Sequence, residues 1–197
     1  MQYKGSEKSS QTLTSRCGWV TRGDVLYEKY HDEEWGVPVH DDRVMFEFLV
    51  LESAQAGLSW RTVLRKRENY RRLFAQFDPV SVAKFSSQDV DRILTDEGII
   101  RNRAKVEAAV NNAKRFLEIQ NSHGTFCRYI WSFVDGKIIE GKRKILSDIP
   151  TTSREAEGLA KDLKKRGFRF LGATICYAHM QATGLVNDHT QDCFRHV

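Results

Sequence analysis

The sequence lacks the features that mark membrane-spanning and secreted proteins. No apolar run in its 197 residues approaches the roughly 20 residues that a membrane-spanning helix needs. The N-terminal stretch MQYKGSEKSSQTLTSR is polar and lacks the apolar segment of a secretory signal. We therefore expect a cytoplasmic protein with no membrane partner, and we predict that residues 1–15 form a disordered extension.

Cysteine is scarce, with four residues in the chain. Without a secretion signal, these cysteines are not expected to form a disulfide framework. Cys127 and Cys176 lie in the apolar segments TFCRYIW and ATICYAHM, which is typical of buried thiols that act as small hydrophobic residues. Cys17 and Cys193, near the two ends of the chain, are considered below together with the histidines.

Proline is scarcer still, with three residues, so long helices are easy to place. Asp41 and Asp42 precede an apolar helix that ends at Gly57, and Ser59 can cap a second helix over residues 60–77. Pro79 fits the first turn of a short third helix.

The remaining helix signals cover most of the second half of the chain. Ser86 and Asp89 resemble a capping box for a helix that Gly98 stops, and a long amphipathic helix is predicted over 103–120. Thr152 and Glu155 resemble a further capping box. Other helices are predicted at 125–134 and 173–184, whereas 134–150 is ambiguous. These patterns predict an all-α fold.

The charge balance permits a nucleic-acid partner without establishing one. The formal net charge is +5 and the isoelectric point is about 9.0. With 41% hydrophobic residues, the chain can build one compact domain, or two small lobes with a shared core, over residues 16–197.

A candidate metal site combines the two ends of the chain. In GLVNDHTQDC, His189 and Cys193 would share one face if the segment were helical. Cys17 and His31, with thirteen residues between them, complete a set of two thiols and two imidazoles that suits tetrahedral zinc. Four protein ligands leave no position for water, so such a site would be structural. On spacing alone, unrelated surface histidines and buried cysteines explain the pattern equally well.

A glycine-containing turn between two helices is a candidate DNA contact. DRILTDEGIIRNRAKVEAAV reads as helix, turn and helix, with Arg101, Arg103 and Lys105 next to Gly98. Backbone amides and positive charge at such a turn can bind phosphate without reading sequence. A purely structural corner between helices has equal weight.

Aromatic residues crowd the first third of the chain around one acidic residue. Glu52 lies on a strongly apolar helix, so it is either a paired core residue or part of a cleft. A pocket of aromatic rings with one carboxylate suits a flat, cationic base, whereas ordinary core packing is the alternative. The aromatic residues concerned are Trp19, Tyr27, Tyr30, Trp35 and Trp60.

Several blocks of sequence, in the same order, resemble the bacterial 3-methyladenine DNA glycosylase I family. The resemblance runs from about Arg16 to Cys193 and rests on RCGWV, YHDEEWGVP, LESAQAGLSWRTVLRKRENYR, GIIRNRAK, KKRGFRFLGATICY and GLVNDHTQDC. It implies an all-α, helix-hairpin-helix DNA glycosylase domain over 16–197, with the helix-hairpin-helix unit at about 88–118. It also implies one structural zinc ion per chain that joins the N- and C-terminal segments.

The resemblance also implies roles for individual residues. The zinc ligands would be Cys17, His31, His189 and Cys193. Glu52 would be the catalytic residue, in a base pocket formed by Tyr30 and Trp60 and surrounded by Trp19, Tyr27 and Trp35. Leu58 would plug the gap in the duplex, and the hairpin falls on residues 97–101. The full set of implied DNA contacts is Gly57, Leu58, Gly98, Ile99, Ile100, Arg101, Arg103 and Lys105.

The implied reaction is excision of 3-methyladenine from alkylated double-stranded DNA, with the free base as product. The family resemblance and the absence of a catalytic lysine imply a monofunctional enzyme, and a monomer is expected. No aspartate equivalent to those of related glycosylases is evident, since Glu118 and Asp135 lie in other contexts. The alternatives are a zinc-stabilised DNA-binding module without catalysis and a bifunctional glycosylase/lyase.

Overall fold

The computed structural model describes residues 15–196, so the predicted disordered extension lies outside the described residues except for Ser15. Within this range the fold is mainly helical. The helices are α1 (Val25–Glu33), α2 (Asp42–Gln55), α3 (Trp60–Leu73), α4 (Pro79–Val82), α5 (Ser87–Leu94), α6 (Arg103–His123), α7 (Phe126–Trp131), α8 (Arg154–Lys165) and α9 (Ala173–Ala182). Two short strands, β1 (Ile139–Glu140) and β2 (Val186–Asn187), pair in parallel.

Helix α2 is the central element of the fold. It begins where the Asp41 carboxylate accepts hydrogen bonds from the amides of Arg43 and Val44. Every residue from 45 to 54 is buried, because the helix packs against α3, α6, α7 and α9 on different sides. Its polar residues are therefore held inside the protein.

The buried apolar residues form two clusters. The larger one fills the space between α2, α6, α7, α8 and α9. The smaller cluster joins Tyr30 and Trp35 to Phe48 of α2 and to Cys17 and Cys193 at the two ends of the described chain. The chain termini are thus part of a core, although termini usually fray.

Several sequence predictions about helix ends are confirmed and others are wrong. The capping box of Ser86 and Asp89 is present at α5. The helix predicted over 60–77 ends at Leu73, because residues 75–77 have φ of 50° to 55° and cannot continue a right-handed helix. Helix α5 ends at Leu94 rather than at Gly98. The capping box predicted at residues 152 and 155 is wrong, because Ser153 caps α8 instead.

The C-terminal tail differs most from its prediction. Residues 186–187 form β2 and Thr190 bridges Arg143, so His189 and Cys193 do not lie on one helix. The Cys193 amide donates to the Thr190 carbonyl at 2.8 Å, which turns the chain back. An all-α fold is therefore correct for the main body, but the tail pairs with the ambiguous segment 134–150 as a small parallel sheet. No helix within residues 15–196 is long and apolar enough to cross a membrane.

Asp42 provides a test of how α2 holds its neighbours. Its carboxylate accepts from the amides of Phe126 at 2.8 Å and Cys127 at 2.7 Å, and from the Gln120 side chain at 2.7 Å. Asp42→Ala leaves the first amides of α7 without an acceptor, so we expect a loss of about 2–3 kcal/mol in urea unfolding. Asp41→Ala, which removes only the cap of α2, should cost about 1 kcal/mol. Equal losses in the two variants would contradict this role of Asp42.

Candidate functional site

A cavity of about 360 Å³ opens between α1, α2, α3 and α9. It brings together all six residues that were predicted to form a base pocket. Its lining residues are Trp19, Tyr27, Tyr30, Trp35, Glu52, Gln55, Trp60, Leu146, Ile149, Ala178 and Gln181.

The aromatic side chains of the cavity wall are positioned by the capped N-termini of two helices and by contacts between their rings. Asp24 caps α1, which carries Tyr30 into the cavity, and Ser59 caps α3, which begins at Trp60. The ring centroids of Tyr30 and Trp60 are 5.3 Å apart, and those of Trp19 and Trp35 are 5.1 Å apart. Such edge and tilted contacts fix the rings before any ligand binds.

Glu52 is the buried acid of the cavity. It is 3% exposed, and its Oε2 atom has no hydrogen-bond partner among residues 15–196. Burial raises the pKa of its carboxyl group to about 8, because the charged form loses its hydration. Burial, with a smaller contribution from Glu52, also raises the pKa of Tyr30 well above its usual value. At neutral pH the free cavity therefore holds a protonated carboxyl group that a cationic ligand would ionise.

The cavity also contains unpaired donors. The indole N–H groups of Trp19 and Trp60 are buried and have no acceptor within the described part of the chain. A buried polar group without a partner costs about 1–3 kcal/mol relative to a paired one. Together with Glu52 they form a preorganised set of polar groups on apolar walls, as small-molecule sites usually have.

A second group of side chains, Cys17, His31, His189 and Cys193, lies against the cavity wall. Their ligand atoms all fall within 4.8 Å of one another, and all four residues are buried. The Cys17 Sγ atom is 3.4 Å from His189 Nδ1, and Cys193 Sγ is 3.4 Å from His31 Nε2. This arrangement can hold a metal ion, and it forms without the helix that the spacing suggested.

Neighbouring groups select the ring nitrogens that face the centre of this cluster. His31 Nδ1 lies 2.8 Å from an Asp32 oxygen, which leaves Nε2 facing the centre. His189 Nε2 lies 3.2 Å from the Trp35 carbonyl oxygen, which leaves Nδ1 facing the centre of the cluster. Burial lowers the pKa of His189 to about 4, which keeps the imidazole neutral as a metal ligand must be. The amide of Thr190 donates to Cys17 Sγ at 3.4 Å.

The cluster and the cavity share two tryptophans. The Trp19 ring lies 5.3 Å from the His31 ring, and the Trp35 ring lies 4.6 Å from the His189 ring. Because both tryptophans also line the cavity, the position of the imidazoles sets the position of one cavity wall.

The turn between α5 and α6 packs closely on α3. A side chain at Gly98 would meet Asn69 at 2.5 Å, so only glycine fits there. The Ile100 amide donates to the Tyr70 hydroxyl at 3.2 Å, and Ile99 is buried. The amides of Ile99 and Arg101 have no acceptor among residues 15–196. The turn is therefore rigid and presents free N–H donors.

The three basic residues of this segment differ in their placement. The Arg101 side chain is 55% exposed, with Glu97 3.8 Å away. Arg103 is paired with Asp91. Lys105 Nζ donates to the carbonyl oxygens of Ala54 at 2.8 Å and Ala56 at 2.6 Å, so it holds the C-terminal end of α2. This placement of Lys105 differs from the expected phosphate contact.

Gly57 and Leu58 form the turn between α2 and α3. Gly57 has φ of +80°, and Leu58 is 42% exposed although it is a large apolar residue. The Leu58 amide donates to the Gln55 carbonyl at 2.6 Å, which fixes the turn beside the cavity residue Gln55.

Sequence reasoning missed five residues that line the cavity: Gln55, Leu146, Ile149, Ala178 and Gln181. Leu146 and Ile149 belong to the ambiguous segment, which has no periodic pattern. Gln181 lies on α9 together with Thr174 and His179, so its polarity alone did not single it out.

Comparisons with known proteins assign the chain to a family. The family model described as methyladenine glycosylase matches residues 19–196. DNA-3-methyladenine glycosylase 1 of Escherichia coli K12 is 52% identical over 178 residues, which cover 90% of this chain and 95% of that protein.

Two solved structures extend the comparison to three dimensions. A crystal structure of 3-methyladenine DNA glycosylase I matches with a TM-score of 0.90 and 51% identity, covering 93% of this chain and 100% of that one. A variant of 3-methyladenine DNA glycosylase I in complex with 3-methyladenine matches with a TM-score of 0.89 and 40% identity. The match covers 92% of this chain and 97% of that one. The chain therefore belongs to the methyladenine glycosylase family.

Proposed function

We propose that this protein is a monofunctional DNA glycosylase that excises 3-methyladenine from alkylated double-stranded DNA in base excision repair. The observation that carries the proposal is the carboxyl group of Glu52, which has no partner among residues 15–196 and is buried in an aromatic cavity of about 360 Å³. Relatives named for this activity, at about half identity over most of the chain, support it. We further propose that the enzyme is cytoplasmic and acts as a monomer.

The cavity suits a flat base with a positive charge. The rings of Trp60 and Tyr30 offer faces for stacking and cation–π attraction, which is strongest when water is excluded. Glu52 becomes ionised when the cationic base enters, and then accepts its N–H groups in charge-assisted hydrogen bonds. Adenine carries no such charge, so it cannot offset the cost of ionising a buried acid.

The reaction needs little acid catalysis. Methylation at N3 makes the base a good leaving group: the bond between N9 and C1′ breaks, and its electron pair neutralises the base. A water oxygen then bonds to C1′ and its proton passes to solvent. The negative charge of Glu52 next to the cationic base holds the base in place until the bond breaks. We propose no covalent lysine intermediate and no strand cleavage.

DNA would be held by two surfaces, the turn between α5 and α6 and the turn between α2 and α3. The helix-hairpin-helix unit, about residues 88–118, would bind backbone phosphate through the free amides of Ile99 and Arg101 and the exposed Arg101 side chain. Exposed Leu58 would occupy the gap that the extruded base leaves. Lys105 would act indirectly, since its contacts fix the end of α2 next to Leu58.

We propose one structural zinc ion bound by Cys17, His31, His189 and Cys193. With Zn–S near 2.3 Å and Zn–N near 2.0 Å, a tetrahedral site has S···N edges of about 3.5 Å. Three such edges measure 3.4, 3.4 and 3.5 Å here. Four ligands fill the sphere, so the metal would hold the terminal segments together and take no part in bond cleavage.

Chromatography of the bases released from methylated duplex DNA tests the proposed activity. We expect free 3-methyladenine and no nicked strands. A DNA-binding module without catalysis would release no base, and a bifunctional enzyme would leave a covalent DNA adduct after borohydride treatment. Either result would overturn the proposal.

Glu52→Gln tests the base pocket. The variant keeps the shape but cannot ionise, so we expect binding of the protonated, cationic form of free 3-methyladenine to weaken about tenfold or more. In the wild type, kcat/KM for excision should rise with pH, reach half its maximum near pH 8, where Glu52 loses its proton in the free enzyme, and level off above that pH. The variant should show no such rise.

Glu118→Gln on α6 is the matched control, because this glutamate is exposed and lies outside the cavity. It should bind 3-methyladenine like the wild type. If titration gives Glu52→Gln the wild-type affinity and the same pH profile, Glu52 has only a structural role.

Cys193→Ala tests the zinc site. Elemental analysis should find about one zinc per wild-type chain and none in the variant, whose melting temperature should fall by about 10 °C or more. Cys176→Ala is the control, since it also removes a buried thiol but lies outside the cluster. Wild-type protein purified without chelator that contains no metal would refute the proposed zinc.

Arg101→Ala tests the proposed contact with the DNA phosphate backbone. We expect weaker binding to every duplex, with the slope of log affinity against log salt reduced by about one, because one phosphate contact is lost. Arg154→Ala, an exposed arginine at the start of α8, is the control. Anisotropy titrations over a range of salt measure both. A loss confined to one DNA sequence would argue against a phosphate contact.

A further inference from the structure

The side chain of Gln181 is held in one orientation at the cavity wall. Gln181 lies on α9 and lines the cavity together with Glu52. Its amide Nε2 donates to Asp188 Oδ2 at 2.7 Å. A glutamine amide has a donor end and an acceptor end of similar shape, so the partner at one end decides which group the other end presents.

Asp188 can accept only one orientation of that amide. It is fully buried, and its oxygens also accept from Arg143 Nε at 2.8 Å and from the Tyr177 hydroxyl at 2.6 Å. Because Arg143 and Tyr177 both donate to this carboxylate, a glutamine oxygen facing it would meet a second acceptor without a hydrogen between them and would be repelled. The nitrogen of Gln181 must therefore point at Asp188.

The oxygen of Gln181 is the polar end that remains. Its Oε1 atom accepts no hydrogen bond from any group within residues 15–196, whereas its backbone carbonyl accepts from Gly36 at 3.0 Å. A half-buried acceptor that is fixed in position at a cavity wall, without a donor, is available to a ligand. The cavity then has two acceptors, Glu52 and Gln181.

We propose that Gln181 is a specificity-determining residue that reads the group at C6 of the extruded base. This inference rests on the proposed glycosylase function. The exocyclic amine of an adenine carries two N–H donors, one for Glu52 and one for Gln181 Oε1. A carbonyl at C6, as in guanine or hypoxanthine, faces the fixed oxygen of Gln181 without any hydrogen between them.

The physical basis is the unequal cost of unmade hydrogen bonds. A site that places a buried acceptor against a substrate donor rejects an analogue without that donor, because both polar groups stay unpaired. Asp188 makes the rejection strong, since Gln181 cannot rotate its nitrogen towards the carbonyl without losing the Asp188 contact. The lesion range of the enzyme would thus be set partly by a residue that bears no charge.

Binding of two free bases tests this assignment. 3-Methyladenine and 3-methylhypoxanthine differ at C6, and calorimetry or tryptophan fluorescence gives an affinity for each. We expect Gln181→Met to weaken the binding of 3-methyladenine about tenfold and to leave the binding of 3-methylhypoxanthine unchanged or tighter. The preference for 3-methyladenine over 3-methylhypoxanthine should therefore fall. Gln191→Met, an exposed glutamine on the tail, should change neither affinity.

A second variant separates specificity from folding. Asp188→Asn can donate to Gln181, which lets the amide turn and present its N–H₂ group to the cavity. We expect this variant to shift preference towards 3-methylhypoxanthine further than Gln181→Met does, with melting temperature and metal content measured in parallel. An equal loss for the two bases, or an unchanged preference in both variants, overturns the role of Gln181. Wild-type protein that binds and releases no 3-methyladenine instead overturns the proposed function itself.

Discussion

Helix α2 buries the carboxyl group of Glu52 without a partner among residues 15–196, and the aromatic cavity is arranged around this group. Its pKa of about 8, against an ordinary value of 4.5, means that the folded state favours the protonated acid. The stability that this group contributes is greatest below pH 4.5 and declines as pH rises through 8, because ionisation then opposes folding. Helix α2 tolerates this cost since it is buried on all sides and cannot turn the side chain outwards. A stable fold thus keeps an unpaired carboxyl group at the cavity.

The walls around Glu52 are held by paired charges that lie behind them. Arg67 of α3 is buried, donates to Glu47 of α2 and to Glu34 at the end of α1 at 2.6 Å each, and lies 5.3 Å from the Phe48 ring. Removing one partner of such a buried pair leaves an uncompensated charge, which is strongly destabilising. The ion pairs therefore fix the relative positions of the three helices, even if they add little net stability. Glu52 differs from these residues, because its buried carboxyl group has no partner among residues 15–196.

The sequence predicted the parts of this arrangement that rest on short-range signals or on residue type. Ser59 and the pair of Ser86 and Asp89 act within one helical turn, so their caps could be predicted and are present. Cys17, His31, His189 and Cys193 were recognised as a candidate metal site because thiols and imidazoles are typical zinc ligands. The structure brings the four side chains together, although the helix assumed for His189 and Cys193 is absent. The end of α3 was missed because burial of Phe74 and Phe77, a tertiary demand, overrides helix propensity there. Gln181 was missed because its orientation depends on the hydrogen bond to Asp188. No local sequence pattern shows that these two side chains meet at the cavity wall.

The irregular tail explains how the cluster of two cysteines and two histidines comes to share one wall with the cavity. Adjacent side chains on an extended segment point to opposite sides, whereas on a helix they diverge by only about 100°. Following β2, Asp188 contacts Gln181 at the cavity, and His189 contacts the Cys17 sulfur in the cluster. Arg143 ties the same segment to the residues before Leu146 and Ile149 at the cavity mouth. A change in the positions of Cys17 and His189 would therefore reach the orientation of Gln181 as well as the chain ends.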